Sequence, residues 1–121
     1  MSEIRNTKQY DLEERTFKFA RDCRAFVKKL PKTTGNIEDG KQLVRSSGSV
    51  GANYIEANES FSKKDFVLRA KISRKEAKES RYWLKLVDAG GNQDLEKERE
   101  LLIKEATELM NIFGSIIRKS E

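Results

Sequence analysis

Between Gln42 and Ala57 the chain reads QLVRSSGSVGANYIEA, and two stripes of opposite character run along this segment with one spacing. Leu43, Ser47, Val50, Tyr54 and Ala57 recur at steps of four and three, the seam of a packed bundle helix. One residue earlier in each case stand Gln42, Ser46, Ser49, Asn53 and Glu56. A solvated helix face usually carries Lys and Glu, whereas these side chains are mostly small or amide-bearing. The second stripe, with Arg45 beside it, therefore points to a hydrogen-bonded contact with another helix or another subunit. Gln42, Arg45, Ser46, Ser49, Asn53 and Glu56 are the candidate oligomer contacts. Glu56 lies about three turns beyond Arg45, so the two could meet across the stripe only through Ser49 and Ala52 or through a second subunit; the favoured reading is a partly exposed Glu56 in a weak surface ion pair.

The same period recurs elsewhere. Thr16, Phe19, Cys23, Phe26 and Leu30 form a seam that Pro31 ends, and Asp11 with Glu14 offers a capping signature at its start. The second seam is expected to continue to Phe61. Ser62 and Asp65 form another capping signature, followed by Phe66, Ala70, Ser73, Ala77, Ser80, Leu84 and Val87, with Gly90-Gly91 as a stop. Asn92 or Asp94 opens the last helix, whose seam is Leu95, Arg99, Leu102, Ala106, Leu109, Phe113 and Ile116, widened by Ile103, Met110 and Ile117. Helices are thus expected at about 11–30, 37–59, 62–89 and 94–118. With one Pro, seven Gly and 37% charged residues in 121, they predict one all-α domain over 1–121, an antiparallel up-down-up-down four-helix bundle. Gly40, Gly48 and Gly51 inside the second helix each cost about 1 kcal/mol relative to Ala, so a close backbone neighbour is expected there.

The chain contains no His, which removes the commonest general base and metal ligand, and its lone Cys23 falls on an apolar face. No Walker-type phosphate loop, dinucleotide fingerprint or nucleophile elbow occurs. A non-enzymatic protein without metal or cofactor is the expectation. No apolar run reaches the roughly 18 to 20 residues of a membrane span, nor does MSEIRNTKQYDLEER hold a signal-peptide core, so a cytoplasmic location is expected.

Charge distribution carries the functional signal. The net charge is +5, yet Phe61 to Val87 alone holds nine basic residues against Asp65, Glu76 and Glu79. Arg74, Lys78, Arg81 and Lys85 repeat at steps of four, three and four beside the third seam. With Arg69, Lys71 and Lys75 they form a candidate phosphate-binding surface for RNA or DNA. Tyr82 and Trp83 lie among these cations, and an aromatic there could stack on an unpaired base, although Trp83 reads more readily as core or interface. The competing reading is a scaffold or protein-interaction module whose basic stripe meets an acidic protein or packs between subunits.

The motif Gln42-Leu43-x-Arg45-Ser46-Ser47-x-Ser49-Val50-x-Ala52-Asn53-x-Ile55-Glu56-Ala57 resembles the signature helix of the proteins encoded by intervening sequences in bacterial 23S ribosomal RNA genes, sometimes called S23 proteins. The stretch Phe66-x-Leu68-Arg69-x-Lys71-Ile72-Ser73-Arg74-Lys75-Glu76-Ala77-Lys78-Glu79-Ser80-x-x-Trp83-Leu84 resembles one branch of that family. Tyr54-Ile55-Glu56-Ala57 stands where the family usually reads Ile-Ala-Glu-Gly. The resemblance implies a four-helix bundle that assembles as a homopentamer. It also implies kinship with the accessory variability determinants of diversity-generating retroelements, basic barrels that bind nucleic acid and a reverse transcriptase. A reverse transcriptase or another protein is accordingly an expected partner.

Overall fold

The computed structural model describes the backbone of residues 2–121 and the side chains of residues 12–121. Four helices follow one another, α1 (Ser2–Lys29), α2 (Thr34–Asn58), α3 (Lys63–Leu86) and α4 (Gln93–Ser120). Each packs against its sequence neighbours, and α4 closes the ring against α1. The up-down-up-down bundle expected from four equal periods is the observed fold. The expected seams bury as predicted along most of their length. Phe19, Cys23 and Phe26 of α1, Leu43 and Val50 of α2, Leu84 of α3 and Leu109 and Phe113 of α4 are all essentially solvent-free. Tyr54 meets Phe113 edge-on, with ring centroids 5.6 Å apart.

Helix ends depart from expectation where side chains compete for the backbone. The first helix begins at Ser2 and not at Asp11, because nothing from Ser2 to Tyr10 is Pro or Gly and no breaker interrupts it. The Asp11 side chain lies outside the described residues. Thr33 caps α2 by accepting a hydrogen bond from the Asn36 N–H at 3.1 Å, so Gly35 and Asn36 join the first turn. Ser62 and Asn92 cap α3 and α4 through the same geometry, to Asp65 and Leu95. Phe61 does not prolong the α2 seam. The helix stops at Asn58, its phase is lost through the turn, and Phe61 is 103% exposed.

The α3 terminus is set by two side chains from other elements. Buried Asn36 donates to the carbonyls of Pro31 (2.9 Å) and Asp88 (2.8 Å), and its Oδ1 accepts the Asp88 N–H at 2.8 Å. This single amide joins the α1–α2 turn to the α3–α4 turn. From α4, the Arg99 guanidinium donates to the carbonyls of Leu84, Lys85 and Val87 at 3.0, 3.1 and 2.7 Å. These carbonyls belong to the end of α3, where the backbone otherwise leaves acceptors unpaired and where a cation opposes the helix dipole favourably. The helix therefore ends at Leu86, three residues before the expected Ala89. Gly90 and Gly91 complete the reversal with φ of 67° and 77°, and a Cβ on Gly90 would stand 2.8 Å from Pro31 Cγ.

Gly40, Gly48 and Gly51 of α2 face α1 within the same chain, whereas Gly35 faces open space. A Cβ on Gly51 would lie 2.9 Å from Thr16 Oγ1, and one on Gly40 would lie 3.0 Å from Val27 Cγ1. Gly48 instead faces the flexible end of Arg24. Outside this apolar contact, Arg15 bridges to Glu105 (2.7 Å) and Glu108 (2.9 Å), and Lys29 reaches Glu98 (2.8 Å), holding α1 against α4.

Two consequences are testable. Replacing Arg99 by Met keeps the aliphatic stem but strands three carbonyls at an 11% exposed side chain, and a loss of about 2 kcal/mol is expected in the unfolding free energy read by denaturant titration. Burial pushes the Cys23 thiol up to about 12, against a smaller opposing contribution from a Ser47 hydrogen bond. The raised folded-state value means the associated stability is complete below the ordinary thiol range, near 9, and is lost as pH climbs toward 12. Alkaline denaturation should be shallower in Cys23→Ala over that window, and native Cys23 should resist a thiol reagent at pH 8 until the protein unfolds.

Candidate nucleic-acid interface

The rotation of α3 is fixed by its contact with α2. Ser46 and Ser80 share a buried hydroxyl–hydroxyl hydrogen bond at 2.8 Å, and Ser73 donates to the Val50 carbonyl at 2.9 Å. Small side chains at these positions let the two backbones approach. The same rotation turns the acids of the basic segment toward α2, where Arg45 meets Glu79 at 3.1 Å and Glu76 at 3.6 Å. Glu76 is only 7% exposed, and its Oε1 is close enough to Arg45 to be attracted but makes no hydrogen bond. Arg45 is thus engaged by α3 within the chain, and Glu56 is exposed and makes no ion pair among the described residues.

Of the remaining members of that stripe, Ser46 and Asn53 meet α3, through Ser80 and Arg69. Asn53 donates to the carbonyl and hydroxyl of Ser49 at 2.9 and 3.0 Å, and its Oδ1 accepts from Arg69 at 3.1 Å. Gln42 accepts from Arg45 at 3.4 Å. Ser46 is wholly buried inside the chain, whereas Gln42, Arg45 and Glu56 stay exposed and Ser49 and Asn53 half-buried.

With Glu76 and Glu79 facing α2, the opposite flank of α3 is left to cations. Lys71, Arg74, Lys75 and Lys78 line one wall of a groove of about 570 Å³, and Met110, Asn111, Gly114 and Arg118 of α4 line the other. Among the described residues no carboxylate lines it. Gly114 is buried beneath these side chains, and a Cβ there would stand 3.4 Å from one Arg118 nitrogen and 3.9 Å from one of Arg74. Two guanidiniums therefore converge above one glycine. Lys71 pairs with Glu121 at 3.2 Å at the groove's end, while Arg74, Lys75, Lys78 and Arg118 form no ion pair among the described residues.

The predicted basic residues do not act as one surface. Arg69 turns toward α2, and Arg81 donates to Thr107 Oγ1 of α4 at 3.2 Å. Lys85 is exposed, beyond the groove near the C-terminal end of α3. Trp83 is half-buried, its Nε1 is shut from solvent without a partner, and its ring meets Tyr82 edge-on at 5.0 Å. Tyr82 itself is 59% exposed. No group of three or more Cys, Asp and Glu side chains is arranged to hold a metal ion among the described residues, and none of the helices is long and apolar enough to cross a membrane.

A family model described as 23S rRNA-intervening sequence protein matches residues 8–115, nearly the whole of this bundle. The chain belongs to that family. A crystal structure from Bacteroides thetaiotaomicron, of a protein with unknown function from the S23 ribosomal protein family, is similar at 30% identity and a TM-score of 0.75, over 87% of this chain and 96% of that one. No curated protein matches.

In this intervening-sequence family member, Arg118 is the groove residue that pattern reading missed. Its signal was present but indirect. Antiparallel pairing brings the last turns of α4 beside Lys71 and Arg74, so the C-terminal Arg118 joins a charge cluster more than forty positions earlier in sequence. Phe17, 66% exposed, and Ile55, 48% exposed, were likewise not singled out. They flank the α1–α2 seam near the Thr16–Gly51 contact and the Asn58–Glu13 hydrogen bond.

Proposed function

We propose that this chain is a non-enzymatic, oligomeric bundle that binds RNA or DNA, chiefly through phosphates held in the α3–α4 groove. The observation that carries the reading is the convergence of Lys71, Arg74, Lys75, Lys78 and Arg118 in a concavity without a lining carboxylate. Cations gathered without acids repel one another, and a polyanion relieves that repulsion while releasing its own counterions. Nothing in the groove resembles a catalytic constellation, with neither a nucleophile beside a base nor an oxyanion cradle. The nucleophile Cys23 is buried in the core.

Oligomerisation is part of the proposal, and a pentamer is the assembly the family resemblance implies. Exposed Phe17 and Ile55 support it, since an α1–α2 edge carrying large apolar side chains gains by being covered. Repetition of the groove around such an assembly would raise avidity without any new contact. The same apolar edge is what favours the second reading, a protein-interaction scaffold.

Binding to a structured RNA and to duplex DNA at about 50 and 200 mM salt tests the first reading. Affinity should fall a few hundredfold between the two if four or five cations engage phosphates. Replacing Arg74, Lys78 and Arg118 by Gln together should reduce the salt slope by about three while leaving helicity intact. Binding equal to the parent protein would remove these residues, and absence of binding at the lower salt would leave the scaffold reading. For assembly, Phe17→Glu should lower the mass read by light scattering to that of a smaller species, with the circular dichroism spectrum unchanged.

A further inference from the structure

The groove has two walls, and an exposed aromatic stands farther along the α3 wall; these features select among nucleic acids. Arg74 and Arg118 come from opposite walls, and one nitrogen of each lies above buried Gly114. A phosphate that meets both guanidiniums lies along the line between α3 and α4. A single-stranded backbone can bend into such a concavity, whereas a duplex presents its phosphates on the outside of a broad rigid cylinder. Asn111 on the α4 wall adds a neutral amide beside the two charges.

The line of α3 residues along the groove's rim continues into Tyr82. Lys71, Lys75, Lys78 and Tyr82 follow at steps of four, three and four, so they are neighbours on one helix face. Tyr82 lies about 12 Å along the axis from Arg74, given 1.5 Å per residue. Its side chain is exposed, and its ring packs against Trp83 in a T-shaped arrangement at an interplanar angle of 79°. Trp83 cannot take this role with its indole nitrogen enclosed. The exposed ring on a cationic line is the arrangement by which unpaired bases are held on a stacking platform. Phosphate contacts and base stacking carry little sequence information, so recognition should tolerate mixed sequence.

Resting on the phosphate-binding reading above, we propose that the α3–α4 groove is a track for single-stranded nucleic acid, with a phosphate seated between Arg74 and Arg118 over Gly114 and an unpaired base stacked on Tyr82. The ligand class is a single-stranded polynucleotide of mixed sequence. Tyr82 supplies stacking and the groove cations supply charge, so the two contributions separate experimentally.

The test uses a labelled oligothymidylate of about 15 nucleotides and a duplex of equal length, with the parent chain, Tyr82→Leu and Tyr82→Phe. The single strand should bind the parent more tightly than the duplex. Tyr82→Leu should weaken the single strand by about 5- to 150-fold and leave duplex affinity and the salt slope unchanged, while Tyr82→Phe retains parental affinity. Emission from Trp83, the only Trp in the chain, should change on addition of oligothymidylate to the parent and not on addition of the duplex. Equal or tighter duplex binding, with Tyr82→Leu indifferent on the single strand, would overturn the single-strand track while leaving the phosphate groove standing. Failure of both nucleic acids to bind the parent would overturn the phosphate reading and this inference together.

Discussion

The hydroxyl contact between Ser46 and Ser80, with the Ser73 hydroxyl on the Val50 carbonyl, is the constraint on which the rest of this molecule depends. Each bond contributes about 1 kcal/mol net, but losing one partner strands a buried polar group at a cost of about 1 to 3 kcal/mol. Such contacts tolerate little rotation of either helix. A turn of α3 by one residue would move its serines off the seam and bring Arg74 or Glu79 into it. With the rotation settled, Glu76 and Glu79 go to Arg45 and the lysines go outward. Charge segregation in this bundle is therefore a result of hydroxyl packing in its centre and not of the surface charges themselves.

Much of the architecture was legible in the sequence because it rests on one repeated spacing. Phe19, Cys23 and Phe26, or Ala70, Ser73 and Ala77, recur with a period that has a single structural solution, and the bundle follows. The points that were not legible all involve a partner distant in sequence. Arg99 occupies a seam position as a charged residue, and only the arrival of the α3 terminus beside it explains why. Arg45 turned to Glu79 and Glu76 on the next helix because an antiparallel neighbour is closer than a residue three turns along its own. Phe61 kept its spacing on paper, but spacing has meaning only while the backbone stays helical.

The candidate site shows the same division. Lys71, Arg74, Lys75 and Lys78 were identifiable as a local excess of charge, since they share one helix. Arg69 and Arg81 share that helix too, yet the structure gives them to Asn53 and Thr107, because a stripe of seven cations wraps farther around α3 than one groove can face. Arg118 and Gly114 come from α4 and join this cluster only after the two helices are docked. Composition could locate the charge, while the concavity that gathers it required the fold.

Asn36 ties the α1–α2 turn to the α3–α4 turn at one end of the bundle, about 20 Å along α3 from Arg74. Arg99 reinforces that end through the α3 carbonyls. The far end is closed by other means: Asn58 donates to Glu13 at 2.9 Å, and Lys71 meets Glu121 at 3.2 Å with both side chains about half exposed. The turn end thus rests on a buried neutral amide that salt leaves alone, whereas the α3–α4 contact at the groove end includes an exposed ion pair that salt screens. Raising the ionic strength therefore weakens one end of the bundle and not the other.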